Sequence, residues 1–456
     1  MASQLALPLE LMDKILGDLD PKSWSGRATL SSFSCTNRAF SILCQKRLFY
    51  HIRMVLVTTS RGSDQESTFY LEDVHKTGAK LLQVLNNSHH LAAYIRSVLI
   101  TAWLRPGLKN DGTAKSSASS LFPLYSIMPK LSSLRTLHFF GHGSLYSWPN
   151  LESRMRAFLP SIVKDLCEID ISQFLGVPTS FFAKCLHLRN VVVSNLLVAQ
   201  DTALPSTKIQ LDFLEVRENP GEGRLKTWIQ PKTCPFDITR LTTLRLSMLD
   251  FEPLSLILAQ CSGSLQVLEL RLLQPKVDSH VMSTFSFNND EPIILRSPAP
   301  PNLDRLHSLR RLTLRSVIGR SVRDHSIGDP HYHTNIPYVA SMLDTLPRNR
   351  QSSNLEIIFE ICIQGINTED EVESLAWAKL LGYVGKERHS LCVAQPIELV
   401  WDRYINRAGS NSYMGDDSHT RLRDIWERDP DLRELREANL IFTSFANSGA
   451  RVSGFF

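Results

Sequence analysis

The chain has 456 residues, 43% hydrophobic and 21% charged, a composition that excludes a disordered polymer and describes a folded protein of two or three domains or one extended repeat domain. Its formal net charge of +4 is small for this length and makes no case for nucleic-acid binding. No apolar run approaches the roughly eighteen residues that a membrane-spanning helix needs.

In chain order, the first predicted element is a helix within residues 7–20. Pro8 suits its first turn, where a missing N–H costs no hydrogen bond. Leu11, Ile15, Leu16 and Leu19 recur at helical spacing and form one apolar stripe, and Asp20-Pro21 ends it. A second apolar series, Leu30, Phe33, Phe40, Leu43 and Leu48, surrounds Asn37 and Arg38. Two or three short helices in so few residues make a core too small to stand alone, so a partner or the following domain completes it. Taken by itself, the stretch also fits a helical hairpin packed on its own domain.

Leu-Pro-Leu-Glu-Leu at residues 7–11, Ile15-Leu16, the run Ser34-Cys35-Thr36-Asn37-Arg38-Ala39-Phe40 and the closing Leu48-Phe49-Tyr50-His51-Ile52 together resemble an F-box of the fungal type over residues 5–52. Phe40 stands where many members of that family carry tryptophan, and residues 20–26 separate the first two helices. The resemblance implies that Leu7, Pro8, Leu11, Ile15, Leu16 and Leu19 dock on a Skp-type adaptor, which joins the chain to a cullin-based ubiquitin ligase.

Beyond the helices a phrase recurs, apolar-x-x-apolar-x-apolar. It appears at Ile95/Val98/Ile100, Leu134/Leu137/Phe139, Leu166/Ile169/Ile171, Leu188/Val191/Val193 and Leu211/Leu214/Val216. Leu241/Leu244/Leu246, Leu265/Leu268/Leu270 and Leu309/Leu312/Leu314 continue it, with a degenerate copy at Leu355–Phe359. The starts at 166, 188 and 211 are 22 and 23 residues apart, within the roughly 20–29 residues of a leucine-rich repeat, whereas 265 to 309 spans 44 and needs an insertion or a missed copy. The expected fold is therefore α/β: a small α-helical F-box followed by an irregular leucine-rich-repeat solenoid with a curved parallel sheet. A mixed sheet of unrelated strands is the other arrangement the phrase allows. Residues 53–365 form the repeat domain on this reading. Residues 366–456 form a mixed α/β, largely helical cap, with a capping box at Thr368–Glu371, a strand at Glu398–Trp401 and helices near Leu422 and Leu435.

Catalytic sets are missing from the sequence. Gly141-His142-Gly143-Ser144 has no nucleophile elbow to accompany it, His331-Tyr332-His333 has no evident third metal ligand, and no phosphate or dinucleotide loop occurs. The eight cysteines, Cys35, Cys44, Cys167, Cys185, Cys234, Cys261, Cys362 and Cys392, form no Cys-x-x-Cys pair and read as small core residues in a reducing compartment. We expect no enzyme activity, no cofactor, no metal and no membrane contact, and a location in the cytosol or nucleus.

Strand alternation turns the neighbours of the apolar positions outward. These are His138 and Phe140, Asp170 and Ser172, and Glu215 and Arg217, then Arg245, Glu269, Arg271, Arg311 and Arg315. Arginine forks recognise carboxylates or phosphates at two points, so Arg245, Arg271, Arg311 and Arg315 are the candidate contacts for an acidic or phosphorylated target protein. Solvated strand residues would show the same pattern. The expected function is that of a substrate-recruiting adaptor of a ubiquitin ligase; the alternative is a non-catalytic scaffold with no ligase role.

Overall fold

The computed structural model describes residues 8–21, 23–59, 67–105, 122–142, 146–151, 153–199, 208–217, 234–248, 252–272, 301–320, 332–333, 341–346, 355–364, 397–403, 428, 433 and 441–445. Three helices open it: α1 (Leu9–Gly17), α2 (Trp24–Ser34) and α3 (Arg38–Leu48). Pro8 sits one residue ahead of the first turn, at the N-cap, and makes no side-chain cap. Ser23 and Asn37 do cap α2 and α3, accepting from the N–H groups of Gly26 and Phe40 at 3.0 Å. At Gly26 a Cβ would lie 2.0 Å from the Asp20 carbonyl oxygen, so the turn from α1 to α2 requires glycine.

The helices close on Met12, Leu16, Leu30, Leu43 and Cys44, with Leu19, Phe33, Phe40 and Leu48 packed around them. Phe33 and Phe40 stack with ring centroids 5.6 Å apart. The expected stripe is thereby divided. Met12 and Leu16 face the core and Leu19 is half-buried, while Leu11 and Ile15 stay outside.

Next come β1 (His51–Thr59), helix α4 (Ser67–Asn87), β2 (Ser97–Arg105), β3 (Thr136–His142), β4 (Tyr146–Ser147), β5 (Glu168–Ser172), β6 (Phe174–Pro178), β7 (Asn190–Ser194), β8 (Leu197–Ala199) and β9 (Ile209–Gln210). They are followed by β10 (Phe213–Arg217), β11 (Phe236–Asp237), β12 (Thr243–Met248), β13 (Val267–Leu272), β14 (Arg311–Arg320), β15 (Tyr332–His333), β16 (Glu356–Gln364), β17 (Ile397–Arg403) and β18 (Ile441–Phe445). The chain divides into two units, residues 1–209 and 210–456, so the three helices share a unit with the first strands.

In the first unit β1, β2, β3, β5 and β7 pair in that order, all parallel. In the second, β10, β12, β13, β14, β16, β17 and β18 do the same. The fold is thus α/β with parallel sheet. β15 departs from the pattern, pairing antiparallel with β14 through Tyr332 and His333. β17 includes the expected strand at residues 398–401, and with β18 it carries the parallel pairing past residue 365, into the segment expected to be a cap. The expected capping box at 368–371, and Leu422 and Leu435, lie outside the described residues.

Register explains the phrase. Leu214, Leu244, Leu268, Leu312 and Ile357 form one buried row, and Val216, Leu246, Leu270 and Leu314 another. In the first unit Ile52, Val98, Leu137, Ile169 and Val191 align in the same way. The opening leucine of each phrase is buried in the turn before its strand, from Leu134 to Leu309. One backbone device repeats at these turns. The Tyr50 carbonyl accepts from the N–H groups of both Arg96 and Ser97, the Arg96 carbonyl from Arg135 and Thr136, and the Gln266 carbonyl from Arg310 and Arg311. Gln173 and Asn195 adopt left-handed conformations (φ 66° and 48°) after β5 and β7, where the chain leaves the main sheet for the short parallel pair β6 and β8.

Truncating Leu268 or Leu312 to alanine should lower stability by about 2–5 kcal/mol, read by urea denaturation. Burial pushes the thiols of Cys185 and Cys261 from 9.0 up to about 12. The unfolded thiols ionise near pH 9.0 and the folded ones do not, so the stability they contribute is present below that pH and is lost between 9 and about 12. Replacing both with alanine should flatten the alkaline decline of the melting temperature over that range.

Candidate functional site

Three surfaces carry side chains that could meet a partner. The first lies on the helices. Leu11 is 48% exposed and Ile15 51%, one turn apart on α1, and Trp24 at the start of α2 is 85% exposed. Pro8 is exposed as well. Leu16, with no exposed area, fills the core instead of facing outward, which corrects its expected place in the docking stripe. Leu7 lies outside the described residues. The wheel gives the reason: at about 100° per residue, Leu11 and Ile15 share one edge and Met12 and Leu16 the next, so one helix serves the core and the solvent at once.

The second surface is the outward side of β1, β2, β3 and β5. His51 Nδ1 and Ser97 Oγ share a hydrogen bond of 2.8 Å, and the His51 ring meets the edge of His138, centroids 6.0 Å apart. His138 Nδ1 lies 3.4 Å from Asp170 Oδ2, and Ser172 Oγ donates to Asp170 Oδ1 at 2.9 Å. Alternation had put His138, Asp170 and Ser172 on this side; the part played by His51 and Ser97 needed the register of β1 on β2. The hydroxyl of Ser97 and the carboxylate of Asp170 contact different imidazoles, so no relay of the Ser-His-Asp kind runs through one ring. Phe140 stands exposed beside them.

The third surface is the outward side of β10, β12, β13, β14 and β16, where the four expected arginines fall. Arg245 lies between two glutamates. Its Nε is 2.8 Å from Glu269 Oε2, though without the alignment of a hydrogen bond, and its Nη1 is 4.0 Å from Glu215 Oε2. Arg217 donates from Nε to Glu215, whose carboxylate is buried between the two guanidinium groups. The Arg245 guanidinium also lies over the Phe213 ring, 5.3 Å from its centroid. Arg311 donates to Glu356 on the adjacent strand. Arg271 and Arg315 are neighbours in register, with Glu360 next to Arg315 on β16. The structure therefore brings all four onto one side of the sheet and answers Arg245 and Arg311 with the chain's own glutamates. Sequence alternation showed the arginines; the cross-strand partners depend on register, which skips from residue 269 to residue 313.

Among the described residues, no group of three or more His, Cys, Asp or Glu side chains is arranged to hold a metal ion, and no helix is long and apolar enough to cross a membrane. No protein-family model matches the chain, and no curated protein matches it.

Glu215→Ala should cost about 1–3 kcal/mol, because it removes a buried carboxylate that accepts from Arg217 and lies 4.0 Å from Arg245. Arg311→Ala, which breaks a half-exposed pair, should change stability by less than about 1 kcal/mol. Urea denaturation of the two variants measures the contrast.

Proposed function

We propose that this chain is a substrate-recruiting F-box protein: its N-terminal helices dock on a Skp-type adaptor of a cullin-based ubiquitin ligase, and its stacked leucine-rich strands hold a target protein. The observation that supports this reading best is the exposed pair Leu11 and Ile15, on a helix whose neighbouring edge is already committed to the core. Leu11 and Ile15, each about half exposed, gain about 0.7–1.5 kcal/mol apiece if a partner buries what remains, before the costs of association. Pro8, Leu19 and the exposed Trp24 border the same helices. The resemblance of residues 5–52 to an F-box names the partner.

On this reading the chain makes and breaks no bonds. It raises the local concentration of its target beside the ligase. The target contact is assigned to Arg245, Arg271, Arg311 and Arg315, and the target to the class of acidic or phosphorylated proteins. Such a target would compete with Glu215, Glu269 and Glu356 for the same guanidinium groups, so its capture would weaken as salt rises.

The test is capture of a purified Skp-type adaptor by the full chain. The double variant Leu11→Asp, Ile15→Asp should lose capture while its urea midpoint stays near that of the parent, because both positions are exposed. Undiminished capture by that variant, or none by the parent chain, would leave the chain as an interaction scaffold without a ligase role.

A further inference from the structure

We infer that Arg47 is the positioning residue of the docking helix: its guanidinium clamps α1 at one rotation, the one that turns Leu11 and Ile15 outward. The inference rests on the docking role proposed for that pair and identifies what keeps the pair presented.

By its own sequence α1 is weakly held. It has nine residues, short of the roughly 12–15 at which isolated helices become marginal, and Pro8 gives it no side-chain cap. Its buried contacts come from Met12 and Leu16. On a wheel of about 100° per residue, with Leu11 at the origin, Leu11 and Ile15 occupy about 0–40°, Met12 and Leu16 about 100–140°, and Asp13 about 200°. A helix anchored along one edge can roll about it, and a roll towards the bundle would draw Leu11 and Ile15 into the core region.

Arg47 blocks that roll from the opposite side. From α3 its Nη2 donates to the Asp13 backbone carbonyl at 2.8 Å and to Asp13 Oδ1 at 2.9 Å. The same guanidinium extends along the last turn of α1, where a Cβ on Gly17 would be 3.6 Å from Nη2 and 4.0 Å from Nη1. A cation there also favours the carbonyl end of the helix. Arg47 Nε is buried and makes no hydrogen bond among the described residues. Both bonds leave from the single nitrogen Nη2, so a lysine ammonium, with three N–H donors on a shorter stem, retains part of the contact.

The experiment measures adaptor binding kinetics and hydrogen exchange on the full chain and its variants. Arg47→Ala should slow association with a purified Skp-type adaptor about tenfold and leave dissociation within twofold, because the competent orientation of α1 becomes a minor population while the bound state is unchanged. Arg47→Lys should fall between parent and alanine, and Asp13→Ala, which keeps the carbonyl contact, should have the smaller effect. In the free protein, amides of residues 12–17 should exchange at least tenfold faster in Arg47→Ala, with those of α2 unchanged. Parent-like exchange in α1, or parent-like association despite faster exchange, overturns the inference. If the parent chain fails to bind the adaptor, the docking proposal fails, and exchange alone decides whether Arg47 clamps the helix.

Discussion

Among the described residues, the strands of the main sheets bury their apolar side chains against those of the next copy in the stack. A single strand with two inward leucines cannot shield them, and a turn with one leucine cannot either. Aligned in parallel register, Leu244 lies beside Leu268 and Leu268 beside Leu312, and the rows close. The forked carbonyls fix where each strand starts: one carbonyl accepts two successive N–H groups of the next copy, so a slip by one residue would break two hydrogen bonds and turn the leucines to water.

With the interior committed in this way, the outward positions are free to differ, and the two units use them differently. In the first, hydroxyls and imidazoles form a small polar chain from Ser97 through His51 and His138 to Asp170. In the second, arginines and glutamates alternate across the strands. Arg245 between Glu215 and Glu269 spreads one positive charge over two neighbours, and the Arg311–Glu356 pair repeats the idea. A partner meeting this second surface finds the charges of Arg217, Arg245 and Arg311 already answered. Recognition there would turn on exchange of ion pairs, which contributes more to specificity than to affinity.

The N-terminal helices have the opposite economy. Their core is a handful of side chains, two of them from α1, and the rest of that helix looks outward. Local chemistry holds α2 and α3 through the Ser23 and Asn37 caps, whereas α1 relies on contacts made across the bundle, Arg47 to Asp13 among them. The helix with the most exposed aliphatic surface is therefore the one with the least local support.

Much of this could be read without coordinates. The spacing of leucines placed β3, β5, β7, β10, β12, β13, β14 and β16, because burial on one side and a tight turn before each strand leave a short, directional pattern of three apolar positions. The expected strand at 398–401 emerged as part of β17, but β18 carries no such phrase and was missed. The helical stripe was legible only in part, since spacing marks which residues are apolar and not which edge meets the core; Met12 took the inward place and left Ile15 outside. Arginines on the outward side followed from alternation. Their glutamate partners did not, because insertions between strands make sequence distance useless for pairing.

What the sequence determined by itself was the parity of the strands that carry the repeated phrase and the apolar character of the first helix, both consequences of interactions within a few residues. What only the tertiary structure decided was which strand lies beside which, which arginines are answered and how α1 is turned, because those depend on contacts between residues far apart in the chain.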